Sequence, residues 1–322
     1  MRDKLLPRQL CALAFCAFTV PAVGLLPRAG WLWASIAAVC CAAVLAVGVL
    51  LTRKKGGSAA ALAAQSGLGK ALLAPLLLWN FLALGMTARY LCGAYPDAGG
   101  FPLTGALLLL LAAYAANKGV SAVARVSAIC FFFLIALYAL VLGFAAPQLR
   151  PQWLTLQAKP VWTILPAVFS PVCVLFLTGH CTERGKPAGW LFGGMALAFL
   201  AAFVAAGCLS PEVAGAEPFA VYTVTKSLSL FGAMERFEAL VSAALTAGGF
   251  TLLGLLCLTN AELIRALWPR AEKCSGVANF LLGFAGIFAS GVLNAGISAA
   301  VSAIFWGILP IGILSLAKRK KY

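Results

Sequence analysis

The sequence predicts an all-α integral membrane protein, one transmembrane domain over residues 1–322 built from ten membrane-crossing helices. Three observations predict it. Hydrophobic residues make up 63% of the chain and charged residues 10%, with a mean hydropathy of +0.99, too apolar for a surface that faces water. The apolar residues come in runs of about 20, the length that crosses a bilayer core. The basic residues, in turn, are sorted by side.

The runs fall approximately at 8–26, 30–52, 70–92, 102–117, 124–146, 161–180, 188–208, 235–258, 276–293 and 296–317. The fourth and ninth are short. A net charge of +15 raises nucleic acid as a partner, but the placement of the charge argues for topology instead. With the N-terminus in the cytoplasm, only Arg28, Arg89, Arg150, Lys159, Lys226 and Arg236 of the 24 basic residues fall at outer ends. The rest, including the terminal KRKKY run, lie inside, so ten spans with both termini cytoplasmic satisfy the positive-inside rule. The expected surroundings are lipid, not nucleic acid. The first run lacks a small-residue cleavage site and continues into Pro27 and Arg28, so it reads as a retained span. The eleven cysteines lie mostly inside apolar runs without CxxC spacing and read as small buried hydrophobes.

Ten spans divide into two sets of five, about 8–146 and 161–317, and an odd number per set inverts the second against the first. The opening run of each set is interrupted in the same way. CALAFCAFTVPAVGLL carries Pro21 and Gly24, and WTILPAVFSPVCVLFL carries Pro166 and Pro171. Backbone groups that lose partners at mid-membrane depth survive only against protein or a polar cavity. Paired interruptions in corresponding spans therefore predict a LeuT-type 5+5 inverted repeat, with a binding site where broken helices one and six meet. Two loops, TRKKGGSAAALAAQSGLGK and PEVAGAEPFAVYTVTKSLSLFG, read as short interfacial helices. Small residues Gly283, Gly286, Ser290 and Gly291 in span nine, and Gly248 and Gly249 in span eight, predict close helix contacts.

Several strings resemble a known family. Pro7-Arg8-Gln9-Leu10, Ala29-Gly30-Trp31-Leu32, Gly67-Leu68-Gly69-Lys70, Asn117-Lys118-Gly119-Val120 and Ala124-Arg125-Val126-Ser127 occur in order along the chain. So do Pro218-Phe219, Lys226 through Gly232, and Met234-Glu235-Arg236-Phe237-Glu238-Ala239-Leu240. Together they resemble the spore-germination permeases, the B subunits of Ger-type germinant receptors within the amino acid–polyamine–organocation superfamily. The resemblance implies a ten-span LeuT-type protein in the inner membrane of a bacterial spore or the cell membrane. It further implies that the protein senses a small nutrient, commonly an amino acid, together with A-type and C-type receptor subunits. Where many relatives have a Gly-x-Gly-like break, this chain has Thr19-Val20-Pro21-Ala22-Val23-Gly24.

The expected ligand site is lined by Thr19, Val20, Pro21, Ala22, Val23 and Gly24 from span one and by Phe169, Ser170, Pro171 and Cys173 from span six, with Asn80 and Thr246 nearby. A half-helix N-terminus favours a carboxylate, and freed carbonyls and hydroxyls take an ammonium. Asn80 reads first as an interhelical hydrogen-bonding group. Ser242 and Thr246, one turn apart, are candidates for a coupling cation. Glu235, Arg236 and Glu238 read either as a dipole-stabilised helix start or as an outer gate or partner contact. No acid is read at the centre of any span, which argues against proton coupling. His180, the sole histidine, sits beside Cys181 and Glu183 and reads as solvated or bonded to a neighbour, not as a metal ligand. No phosphate loop, nucleophile–base pair or carboxylate pair is present, so neither an enzyme nor a cofactor is expected. The ligand expected is a small neutral zwitterion, since a dication would need a buried carboxylate. The leading functional reading is a germinant-sensing subunit, and the alternative is a secondary transporter of an amino acid or amine.

Overall fold

The computed structural model describes residues 5–20, 31–55, 58–65, 67–92, 103–154, 169–181, 187–217, 219–227 and 237–316. In chain order they form α1 (Pro7–Val20), α2 (Trp31–Lys55), α3 (Ala59–Ala63), α4 (Gly67–Cys92), α5 (Leu103–Asn117) and α6 (Val120–Ala145). A 3-10 helix, Ser170–His180, comes next. It is followed by α7 (Pro187–Cys208), α8 (Pro211–Ala216), α9 (Ala220–Ser227), α10 (Phe237–Leu267) and α11 (Ser275–Ala289). The chain ends in α12 (Ala295–Ser302), a π-helical turn (Ala303–Ile308) and α13 (Leu309–Leu316).

By length and composition, five helices among the described residues can cross a membrane: Trp31–Thr52, Gly67–Cys92, Val120–Gln148, Ala239–Leu267 and Gly296–Ser315. Pro7–Val20, Leu103–Asn117, Ser170–His180 and Phe199–Cys208 are shorter apolar helices. The described runs of spans one and six are each too short to cross alone. Fourteen α-helical residues cover about 21 Å and eleven 3-10 residues about 22 Å, against a core of about 30 Å.

Helix α1 is the centre of the bundle. Every residue from Leu10 to Val20 is buried, with no polar stripe, and the helix packs against α10, α7, α6 and the 170–180 helix. Around it, α2, α5 and α6 turn large apolar side chains outward, Val39, Leu50, Leu107, Leu111, Ile129 and Phe132 among them. Such a belt is stable in lipid and costly in water. Between α5 and α6 the chain reverses at Gly119, whose φ of 108° is a conformation that side-chain-bearing residues rarely adopt.

The glycines of span nine work as expected. At the crossing of α4 and α11, a Cβ on Gly85 would strike the Gly286 backbone, and one on Gly286 would lie 3.0 Å from the Phe81 carbonyl. The helices touch there through backbone alone.

Three expectations need correcting. The two loops read as interfacial helices are packed into the bundle: α3 buries Ala59, Ala60, Leu62 and Ala63. Phe219, Ala220, Val221 and Val224 are likewise core residues, and the Phe219 ring lies 4.7 Å from Tyr90. Their apolar faces meet protein, which hydropathy cannot distinguish from lipid. Not all cysteines are buried, since Cys40 and Cys274 are exposed. Finally, span eight does not stop near 258, because α10 continues to Leu267.

Replacing Gly286 with Val should destabilise the protein by about 1–3 kcal/mol or more, since the added methyls meet backbone that cannot move aside. The control is Gly143→Ala, which meets nothing within 4 Å. Thermal unfolding in detergent should show a lower midpoint for the first and an unchanged one for the second.

Candidate functional site

The extension of α10 exposes a polar face that points inward. Thr259, Asn260 and Glu262 follow one another at the end of the apolar run, and all three are buried. Each is held by a partner from another element. The Thr259 hydroxyl reaches the Cys173 carbonyl at 3.4 Å, and Asn260 Nδ2 donates to Asn279 Oδ1 at 2.9 Å. Glu262 Oε1 lies 2.8 Å from His180 Nε2 and accepts from Arg265 Nη1 at 2.6 Å.

Helix α10 thus serves as a ruler for the site. Glu262 marks the depth of His180, Thr259 the depth of Cys173, and Gly248 the depth of Thr19, because a Cβ on Gly248 would meet the Thr19 hydroxyl. The eleven residue steps from Gly248 to Thr259 span about 16 Å of helix. The predicted ligand residues therefore fall at two depths.

At the first depth, Thr19 and Val20 are buried at the end of the described part of α1. The Thr19 hydroxyl donates to the Cys16 carbonyl at 2.6 Å, and Cys16 Sγ donates to the Ser127 carbonyl at 3.3 Å. Tyr138 of α6 brings its buried hydroxyl beside that of Thr19, near enough for the two to interact. Pro21, Ala22, Val23 and Gly24 lie outside the described residues, as does Pro166.

At the second depth, Asn80 of α4 is fully buried among Cys173, Trp79 and Trp306. Trp306 sits in the π-helical turn of the last span, and its Nε1–H donates to Asn80 Oδ1 at 2.7 Å. An indole nitrogen is a donor only, so this bond fixes the amide orientation and leaves Nδ2 as the inward-facing donor. That donor, and the Nε1–H of Trp79, find no partner among the described residues. The interhelical role read for Asn80 is thus half of its chemistry. Phe169 and Ser170 lie between the two depths: Ser170 is one 3-10 turn from Cys173, and Phe169 packs near Gly307, where an added Cβ would sit 3.5 Å from its ring. Pro171 occupies the first turn of the 3-10 helix, where its missing N–H costs nothing.

The remaining expected residues are elsewhere. Thr246 is half-buried two residues from Gly248, with its hydroxyl donating to the Ser242 carbonyl at 2.8 Å. Glu235 and Arg236 lie outside the described residues, and Glu238 is in the first turn of α10.

Sequence reasoning missed the base of the site. Leu5 N–H donates to the His180 carbonyl at 2.9 Å in a parallel bridge between Leu5 and Cys181. Beside it run His180, Glu262, Arg265 and Glu272 in series, the last joined to Arg265 Nη2. The hydrogen bond from Arg265 holds Glu272 below the usual carboxylate range, so acid breaks that contact only well below neutrality. His180 is indeed bonded to a neighbour, but one 82 residues away. Of the nine acidic residues, Glu262 alone lies within the five long apolar helices, near the end of α10 and not at its centre, so it leaves untouched the reading that no acid sits at the centre of a span. The sign that could have revealed it is the spacing Glu262–Arg265, one helical turn, at the end of an apolar run.

No protein-family model matches the sequence, and no curated protein does. Among solved structures, Mhp1, a nucleobase-cation-symport-1 family transporter, in a closed conformation with bromovinylhydantoin bound, is similar over 97% of this chain and 78% of that one, with a TM-score of 0.64 at 15% identity. The inward-facing conformation of Mhp1 is similar over 97% and 76%, with a TM-score of 0.50 at 18% identity. The chain is therefore an integral membrane protein, helical over its described residues, with a fold of the LeuT type, and the two neighbours named are transporters rather than enzymes.

Substitution of Trp306 by Phe should cost about 1–3 kcal/mol, because Asn80 Oδ1 then keeps only the Cys173 thiol at 4.0 Å. Tyr138→Phe, which removes a buried hydroxyl beside Thr19, should change stability by about 1 kcal/mol or less. Paired unfolding curves of the two variants check this.

Proposed function

We propose that this chain binds a small neutral or zwitterionic solute in the seam between α1, the 170–180 helix, α4 and α10, and carries it across the membrane. The observation that carries the reading is a pair of buried polar groups, Asn80 Nδ2, which finds no partner among the described residues, and the Tyr138 hydroxyl beside Thr19, one at each depth of that seam. A buried polar group without a partner costs about 1–3 kcal/mol, and a ligand oxygen beside Asn80 would recover it. Phe169 and Ser170 lie between them. The buried carboxylate of the seam, Glu262, lies at its base and is already paired with His180 and Arg265, which favours a neutral or zwitterionic solute over a dication.

Several finer features belong to the same proposal. The fold is taken as ten spans in two inverted sets of five, with helices one and six broken near Pro21 and Pro166. Both termini then face the cytoplasm, which makes the Leu5–Cys181 end of the bundle the inner end. Thr19 through Gly24, Phe169, Ser170, Pro171, Cys173, Asn80 and Thr246 are the proposed ligand residues, and Glu235, Arg236 and Glu238 the outer gate or partner contact.

A second reading rests on the resemblance to germination permeases, whose most specific strings run from Pro218 to Leu240. In that reading the same seam senses a germinant, A-type and C-type subunits read out the change, and the membrane is that of a spore. Part of this segment, Phe219 to Val224, is packed onto α6, α7 and α10, where it could report on their movement.

Uptake by liposomes containing this chain alone separates the two. Saturable accumulation of a labelled neutral amino acid such as alanine is the expected result, reduced at least about tenfold by Ser170→Trp or Thr19→Trp, a loss worth about 1.4 kcal/mol of binding. Binding without accumulation would replace transport by sensing. Unchanged uptake in both variants, at equal protein level, would remove the seam as the site.

A further inference from the structure

We propose that Glu262 and His180 form a proton-binding site whose occupancy is tied to closure of the base of the bundle. Two observations place it there. Glu262 is a buried carboxylate inside an apolar helix, and the only histidine of the chain meets it at 2.8 Å. A carboxylate oxygen only accepts, so His180 Nε2 must carry the hydrogen in this contact, and a proton added at Nδ1 makes an imidazolium beside an anion.

The charges around the pair favour that proton. With a neutral imidazole, Glu262 and Glu272 carry two negative charges against the single positive charge of Arg265, and the imidazolium brings the series to neutrality. The other charged groups on the described elements packed against the two helices include Arg8 on α1, Arg53, Lys54 and Lys55 on α2, Lys70 and Arg89 on α4, Arg125 on α6, and Arg270 and Lys273 beside Glu272. Lys55 donates to the Ser315 carbonyl at 2.7 Å, Arg270 and Lys273 are exposed, and α3 carries no charge. Thiols on the same helices are Cys11 and Cys16 of α1, Cys40 and Cys41 of α2, Cys173 and Cys181 at the 170–180 helix, and Cys257 of α10.

His180 also supplies the carbonyl that Leu5 N–H binds, so the protonatable ring and the backbone clasp belong to one residue. When the 170–180 helix leaves α10, the imidazole loses its anion, and the proton is held less tightly. By linkage, acid favours the closed base and rising pH opens it; Glu272, held below the usual carboxylate range, stays ionised throughout.

The proposal rests on the reading that the base opens, but its test needs no solute. Hydrogen exchange of the full-length protein in nanodiscs is followed at the Leu5 amide between pH 5.5 and 8, after correction for intrinsic rates. The expected result is protection that increases as pH falls, by up to about tenfold for each pH unit of difference in proton affinity between the open and closed states. His180→Gln, which keeps an N–H donor toward Glu262, should remove the pH dependence, and Glu262→Gln should do the same. Wild-type protection that does not change with pH would overturn the proposal, as would an undiminished pH dependence in His180→Gln. Uptake without pH-dependent protection would leave transport standing and remove the proton site, whereas pH-dependent protection without uptake would do the reverse.

Discussion

The hydrogen bond from Leu5 N–H to the His180 carbonyl ties the start of α1 to the end of the 170–180 helix, and the rest of the site is arranged from that base. From it the two short helices run into the bundle side by side, both apolar along their buried lengths except for Thr19 and Ser170, and each too short to cross a bilayer core alone. Neither has a lipid-facing side of its own. Their positions are set by α10, which touches α1 at Gly248, the 170–180 helix at Thr259, and the base at Glu262.

This arrangement concentrates polar chemistry where an apolar protein can least tolerate it unpaired. Most of the groups are satisfied: Thr19 by Cys16, Thr259 by Cys173 and Leu255, Asn279 by Cys257 and Asn260. The exceptions, Asn80 Nδ2 and Trp79 Nε1 on α4 and Asn260 Oδ1 on α10, stand out against that background. Bound solute is one occupant that would complete them, and ordered water is the ordinary resting one. A 3-10 run of eleven residues and a π-helical turn border the same region, and both are backbone forms that recur at functional sites.

Much of the fold was legible in the sequence because hydropathy reports apolar runs directly. Spans two, three, four, five, seven, nine and ten were placed within four residues of the observed helices, and the small residues of span nine marked a real backbone contact with α4. Sequence reading failed where polarity was answered from across the bundle. Leu258-Thr259-Asn260-Ala261-Glu262 looks like the end of a span because nothing nearby in sequence pairs with it, yet its partners are Cys173, Asn279 and His180. For the same reason the apolar faces of α3 and of Phe219–Val224 were assigned to lipid when they meet protein. The separation of the expected ligand residues into two depths depends on how far α10 extends, which composition does not encode.

The central claim is that the base must part for solute to leave the seam. Paired backbones across a bridge lie about 4.8 Å apart, within the range a disulfide spans, so Leu5→Cys can be oxidised onto the native Cys181 and the cross-link verified by mass spectrometry. The account predicts that the locked protein still binds labelled alanine but no longer accumulates it in liposomes, and that reduction restores uptake. Uptake at the full rate through a verified cross-link would contradict it.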